Sequence, residues 1–170
     1  MVCLARDAAY MDKNGIRVDA KLNYWEPAKL FGGEITAVPA RHGHSWMARF
    51  MANGAGLHLE LPGETSIYIS GDTVYTADVE KALMELQPDI AVVAAGGASL
   101  DVGGPILMPL EEVLKFTAKA PHKVVANHME ALNHCPITRS KLRQELETNG
   151  LASKVLIPND GEVLTIAKTE

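Results

Sequence analysis

Three polar residues stand just past apolar, strand-like runs of this 170-residue chain: His42 after 35–39, Asp72 after 66–70 and His128 after 123–126. Two imidazoles and a carboxylate suit a borderline divalent cation such as zinc, which takes nitrogen ligands at about 2.0–2.1 Å and leaves room for a water. The spacing is not that of a compact H-E-x-x-H motif, so position along the chain leaves two readings open. In one, the three side chains share an ion. In the other they are surface or capping groups, with Asp72 as the N-cap of a helix around 77–86.

The elements that must position these residues are legible as patterns. Over 66–70, Ile67 and Ile69 alternate with Ser66, Tyr68 and Ser70, which predicts a strand that buries the two isoleucines. Gly71 then permits a turn that residues with a Cβ resist, delivering Asp72 from a rigid support. The run 35–39 is a strand that should end near Pro39, since proline donates no ladder hydrogen bond. Leu57, Leu59 and Leu61 alternate with His58 and Glu60, giving a hairpin partner for 66–70 with His58 facing solvent. The unbroken apolar run 89–94 predicts a strand buried on both faces. Helices are predicted over 78–86, with Val79, Ala82, Leu83 and Leu86 on one stripe, over 110–119, and over 138–149 closed by Gly150.

The remaining segments read as a strand over 1–5, a helix over 6–13 closed by Asn14-Gly15, and a strand over 16–22. A loop or hairpin connection follows over 23–33, and 41–53 is irregular despite Trp46, Met47, Phe50 and Met51. The long Gly-rich loop 95–109 has a length that functional loops favour. Strands over 155–158 and 162–166, joined at Asn159-Asp160-Gly161, close the chain. With no repeat, low-complexity tract or linker, residues 1–170 form a single α/β domain with mixed strand order.

Composition narrows the function classes. An apolar fraction of 47% and a charged fraction of 22% are ordinary for a globular chain. A net charge of -5 without a basic run argues against nucleic acid as a partner. Cys3 and Cys135 are too few for a disulfide framework and fit a reducing compartment. No run approaches the roughly 20 apolar residues of a membrane span, and the first residues lack the plan of a signal peptide. The expected address is the cytoplasm, with no membrane partner.

Three segments in order, Val38-Pro39-Ala40-Arg41-His42-Gly43, Ile67-Tyr68-Ile69-Ser70-Gly71-Asp72-Thr73 and Asn127-His128-Met129-Glu130, resemble the later motifs of the metallo-β-lactamase superfamily. The likeness is to the branch of metal-dependent hydrolases that includes L-ascorbate-6-phosphate lactonase. It continues through Ile157-Pro158-Asn159-Asp160-Gly161-Glu162 and so covers nearly the whole chain. The resemblance implies an αββα sandwich with mixed sheets, His42 on one metal, Asp72 bridging two metals, and His128 on the second. Zinc is the implied ion, with manganese as the alternative. The family's earlier H-x-H-x-D-H motif has no counterpart, because the first histidine here is His42. The chain therefore reads as an N-terminally truncated member with three ligands, low metal occupancy and an impaired site. A small-molecule substrate of the phosphodiester, lactone or phosphorylated-sugar class is implied.

Other polar groups near the motifs carry two readings each. His44 is a ligand or, favoured about two to one, a polar loop residue. His134 is a proton donor or substrate contact in the same cleft as His128, or a structural hydrogen-bonding group before Pro136. Glu130 either orients His128 or is an exposed carboxylate at the start of a helix. Gly96-Gly97 and Gly103-Gly104 lack nucleotide-loop spacing. A chain missing its opening strands would expose an apolar sheet face and an unpaired edge, and a twofold homodimer is the simplest cover.

Overall fold

The protein is described here by a computed structural model covering residues 1–46, 48, 51, 54–130 and 133–166. The chain opens with β1 (Val2–Leu4), a 3-10 turn at Ala5–Asp7, α1 (Ala8–Lys13) and β2 (Ala20–Leu22), and β1 pairs in parallel with β2. The predicted 16–22 strand is thus only its last three residues. The 23–33 connection contains β3 (Pro27–Leu30), which turns through Phe31 and Gly32, both at positive φ, into β4 (Gly33–Ala40). Such a two-residue turn matches the twist of a hairpin. Next come β5 (Gly54–Glu60), β6 (Ile67–Ile69), α2 (Ala77–Glu85) and β7 (Ile90–Ala94). The Gly-rich loop folds into a small hairpin of β8 (Ser99–Leu100) and β9 (Gly104–Pro105). The rest is α3 (Leu110–Lys119), β10 (Lys123–Asn127), α4 (Arg139–Thr148) and β11 (Val155–Leu156). Of the irregular stretch 41–53, residues 47, 49, 50, 52 and 53, including Met47 and Phe50, lie outside the described residues.

Seven of these strands form one mixed sheet in the order β11-β10-β7-β6-β5-β4-β3. Strands β3 to β6 pair antiparallel, while β6, β7, β10 and β11 pair in parallel. Since β4 and β6 both oppose β5, strands β4, β6, β7 and β10 all run one way. Their C-terminal ends share one edge of the sheet, where His42, Asp72 and His128 follow β4, β6 and β10.

One face of the sheet is closed by helices. Val79, Ala82 and Leu83 of α2, Val113 and Phe116 of α3, and Leu142 and Leu146 of α4 pack on Val38, Tyr68, Ala91, Val93, Val124 and Ala126. Tyr68 stacks on Phe116 with ring centroids 6.5 Å apart. Burying these stripes is what makes short helices stable in water. Thr76 and Thr138 cap α2 and α4 by accepting from the Val79 and Lys141 amides. Asp72 is therefore not the cap of α2.

The opposite face is only partly covered. Leu4 and Leu22 of the β1–β2 pair cluster with Ile35 and Ala37. Registers align Ala37, Leu57, Ile69, Val92, Val125 and Leu156 as one cross-strand row on this side. In that row Ile69 is 40% exposed. The mixed-sheet α/β class is as predicted, and of the sandwich's second layer the described residues contribute the β1–β2 pair.

Two predicted faces are inverted. Tyr68, not Ile67 or Ile69, is the fully buried residue of β6, and His58 on β5, predicted to face solvent, is 2% exposed. The period of two holds; the phase was set by the helical layer, which takes the large ring. His58 and Tyr68 are cross-strand partners on that face. A further correction concerns 162–166, which forms no strand: Val163 is 89% exposed. At that turn Asp160 pairs with Arg139, while Glu162 accepts from the Asn159 amide. Among the described residues, no helix is long and apolar enough to cross a membrane.

Candidate metal centre

The loops after β4 and β6 are tied together. The Arg41 amide donates to Thr73 Oγ1 and the Val74 amide to Arg41 O, each at 2.9 Å. This bond pair seats His42 beside the Asp72 turn although β5 separates the two parent strands. Gly71 makes that turn: its φ is +65°, and a Cβ there would press on Ala55 O at 2.9 Å. Asp72 projects from it with its side chain 52% exposed.

His128 arrives from β10. Its φ of 57° and that of Glu130, 64°, lie in the left-handed region that bulky residues avoid. Met129 between them is 3% exposed and anchors the turn in the core. Backbone held in that region is a cost of order 1–3 kcal/mol that clusters at functional sites. The turn sends the imidazole toward Asp72, with Nε2 3.9 Å from Oδ1.

The structure thus brings Asp72 and His128 together. His42 sits on the neighbouring loop, half-buried, and its Nδ1 is buried without a hydrogen-bond partner. An unpaired buried ring nitrogen is costly and fits a missing ligand or water. Among the described residues, no three His, Cys, Asp or Glu side chains already converge as a ready-made ion site. The donor types fit a divalent cation, with Asp72 and His128 as the paired ligands and His42 Nδ1 as the orphan nearby.

Other sequence candidates separate from this pair. His44 Nε2 lies 2.6 Å from Glu112 Oε1, and Glu112 Oε2 accepts from the Tyr75 amide at 2.7 Å, so His44 ties its loop to α3. Glu130 does not orient His128: Arg139 engages its carboxylate through backbone and guanidinium and holds its pKa below the usual carboxylate range. His134 is half-buried; its carbonyl accepts from the Ser99 amide, and its imidazole makes no ion pair with Asp72 among the described residues.

One neighbour went unrecognised in the sequence. Cys135 is buried at 7% exposure, with Sγ 4.0 Å from His128 Nδ1. Its only signal was its place seven residues after His128 in a polar turn. Burial, and then the Asp72 charge, push its thiol above the ordinary value. A Cys-His-Asp nucleophile needs the opposite shift.

Residues 4–129 match the profile of the beta-lactamase superfamily domain. The chain is 33% identical over 137 residues to the UPF0173 protein YddR of Bacillus subtilis, covering 79% of this chain and 54% of that protein. It therefore spans about half the length of that curated relative. Among solved structures, the isothiocyanate hydrolase from Delia radicum gut bacteria superposes with a TM-score of 0.83 at 30% identity, over 98% of this chain and 67% of that one. A possible metal-dependent hydrolase from Veillonella parvula does so with a TM-score of 0.81 at 27% identity, over 95% and 64%. The profile match, which takes in His42, Asp72 and His128, places the chain in the beta-lactamase superfamily.

Proposed function

We propose that this chain carries part of the metal site of a metal-dependent hydrolase and is impaired as a hydrolase on its own. The observation that carries the reading is the Asp72–His128 pair, 3.9 Å apart at the C-terminal ends of parallel strands. Ligands in α/β sheets gather at such edges. Asp72 and His128 would hold the ion, with His42 as the third donor, and zinc suits that donor set better than magnesium or calcium. When bound, such an ion acidifies a water and polarises the scissile bond. Asp72, being exposed, can accept a proton or orient a water. Three donors are about half of what a two-metal site uses, which is the basis of the impairment.

The substrate class is a small molecule with an electrophilic carbon or phosphorus. Likeness to the 30% identical hydrolase puts isothiocyanates in the assay panel. The lactonase-like motifs add lactones, phosphodiesters and phosphorylated sugars. Elemental analysis of protein purified without chelator should find less than one zinc per chain. Two tightly held ions per chain would overturn the reading, as would robust turnover that is lost in each of His42→Ala, Asp72→Ala and His128→Ala.

A second reading, a non-catalytic self-associating chain, is favoured by the surface. A compact 18.3 kDa monomer exposes about 8,100 Å². This chain exposes 9657 Å². The excess over a compact monomer fits a chain with an uncovered apolar face, and a second copy on that face is the simplest cover. The Ile69–Val92–Val125–Leu156 part of the cross-strand row is uncharged and lies beyond the β1–β2 cover, so the twofold partner is a second copy laid on it. Light scattering should give twice the chain mass at micromolar concentration, with Ile69→Glu shifting it to one. A monomeric wild type refutes the dimer.

A further inference from the structure

His128 has a neighbour at each ring nitrogen. Asp72 Oδ1 lies 3.9 Å from Nε2, and Cys135 Sγ lies 4.0 Å from Nδ1, the outer reach of a hydrogen bond to sulfur. The approach of the thiol is built into the fold. Gly96, just past the end of β7, packs where a Cβ would overlap the His128 carbonyl oxygen and meet Cys135 Cβ and Sγ at 3.1 and 3.2 Å. Both strands of that contact are pinned. The Ala95 amide donates to Asn127 O at 2.9 Å, and the Ser99 and Ile137 amides donate to His134 O and Gly96 O at 3.1 Å. These backbone contacts fix how the Cys135 and His128 segments stand beside each other.

An imidazole that ligates through one nitrogen carries its proton on the other, and the partner of that outer N–H fixes the ring's tautomer and direction. That partner is usually a carboxylate or a carbonyl. The nearby carboxylate, Glu130, is occupied by Arg139. Among the described residues, the Cys135 sulfur is the atom recorded within reach of Nδ1. Sulfur is a weak acceptor, and in that role it favours the tautomer with its proton on Nδ1.

We propose that Cys135 is the positioning residue of His128: its sulfur accepts from Nδ1–H and leaves the Nε2 lone pair aimed at an ion beside Asp72. This rests on the metal reading above. Cys135 touches no substrate and transfers no proton. It sets which nitrogen faces Asp72.

The test uses the full chain with Cys135→Ala and Cys135→Ser. Loss of a comparable outer partner weakens metal binding by about 10–100-fold. Zinc affinity by chelator competition should therefore fall at least tenfold in Cys135→Ala and recover most of the way in Cys135→Ser. The ¹⁵N shifts of His128, recorded without metal, should move toward a mixed tautomer in Cys135→Ala and return toward wild type in Cys135→Ser. A merely packed thiol would leave those shifts alone. Unchanged shifts and unchanged affinity in Cys135→Ala overturn the proposal. If the wild type binds no zinc, the metal reading fails separately, and the metal-free shifts still decide whether sulfur positions the ring.

Discussion

The two faces of the seven-stranded sheet are finished to different degrees. On the helix side Tyr68, Ala91, Val93, Val124, Ala126 and Phe116 are all 0% exposed. On the far side the β1–β2 pair shelters Ile35 and Ala37, yet Ile69 in the same sheet remains 40% exposed. The helix side is a complete core. The far side is apolar and only partly covered, so its open stretch contributes little until something lies on it. The candidate site sits on the rim between them, with its loops rooted in the complete side.

This contrast can be broken at single positions. Phe116→Ala, on the closed face, should lower unfolding free energy by about 3–5 kcal/mol in denaturant titrations, since a buried ring leaves a cavity. Ile69→Ala should cost under about 1 kcal/mol under monomeric conditions, as its methyls are already near water. Equal losses at the two positions would mean that the open face is as well packed as the closed one.

A subtler probe is His58, which the closed face buries at 2% exposure. Burial lowers its pKa, opposed by the charges of Glu60, 3.9 Å from Nδ1, and of Asp89. Its cross-strand partner Tyr68, on the same face, is neutral, because burial raises the phenol far above its ordinary value. The unfolded chain takes the His58 proton first, at about pH 6.5. Stability from the neutral ring is thus complete above that pH and is lost as pH falls toward the lower folded value. Chemical denaturation from pH 8 to 5 should show this slope in the wild type and a flatter one in His58→Gln. A modest effect is expected at the caps: Thr76→Ala and Thr138→Ala should each cost about 1 kcal/mol.

Much of this was legible because it is local. The α3 helix, the apolar β7 strand and the carriers of His42, Asp72 and His128 each carry their own periodicity or end signal. Strand β7 is not, however, buried on both faces as its unbroken apolar run predicts: Ile90 and Val92 are only half-buried. What was not legible depends on which face gets covered. Alternation in β6 shows that Tyr68 and Ile69 oppose each other, but only the helical layer decides which one goes in. The same layer buried His58. Strand β3 was hidden because its hairpin with β4 is written in the positive-φ pair Phe31-Gly32, and Phe31 is no turn signal. Cys135 was missed because its contact with His128 is made across Gly96, a close approach that spacing along the chain does not encode.

The central claim is that Asp72 and His128 act on one ion, and a double-mutant cycle tests it. Zinc affinity would be measured by chelator competition for wild type, Asp72→Asn, His128→Ala and the double variant. Each single change should weaken binding at least about tenfold, and the double should be little worse than either, because residues on one ligand are not additive. Affinity that survives both single changes, or losses that simply add, would contradict a shared site.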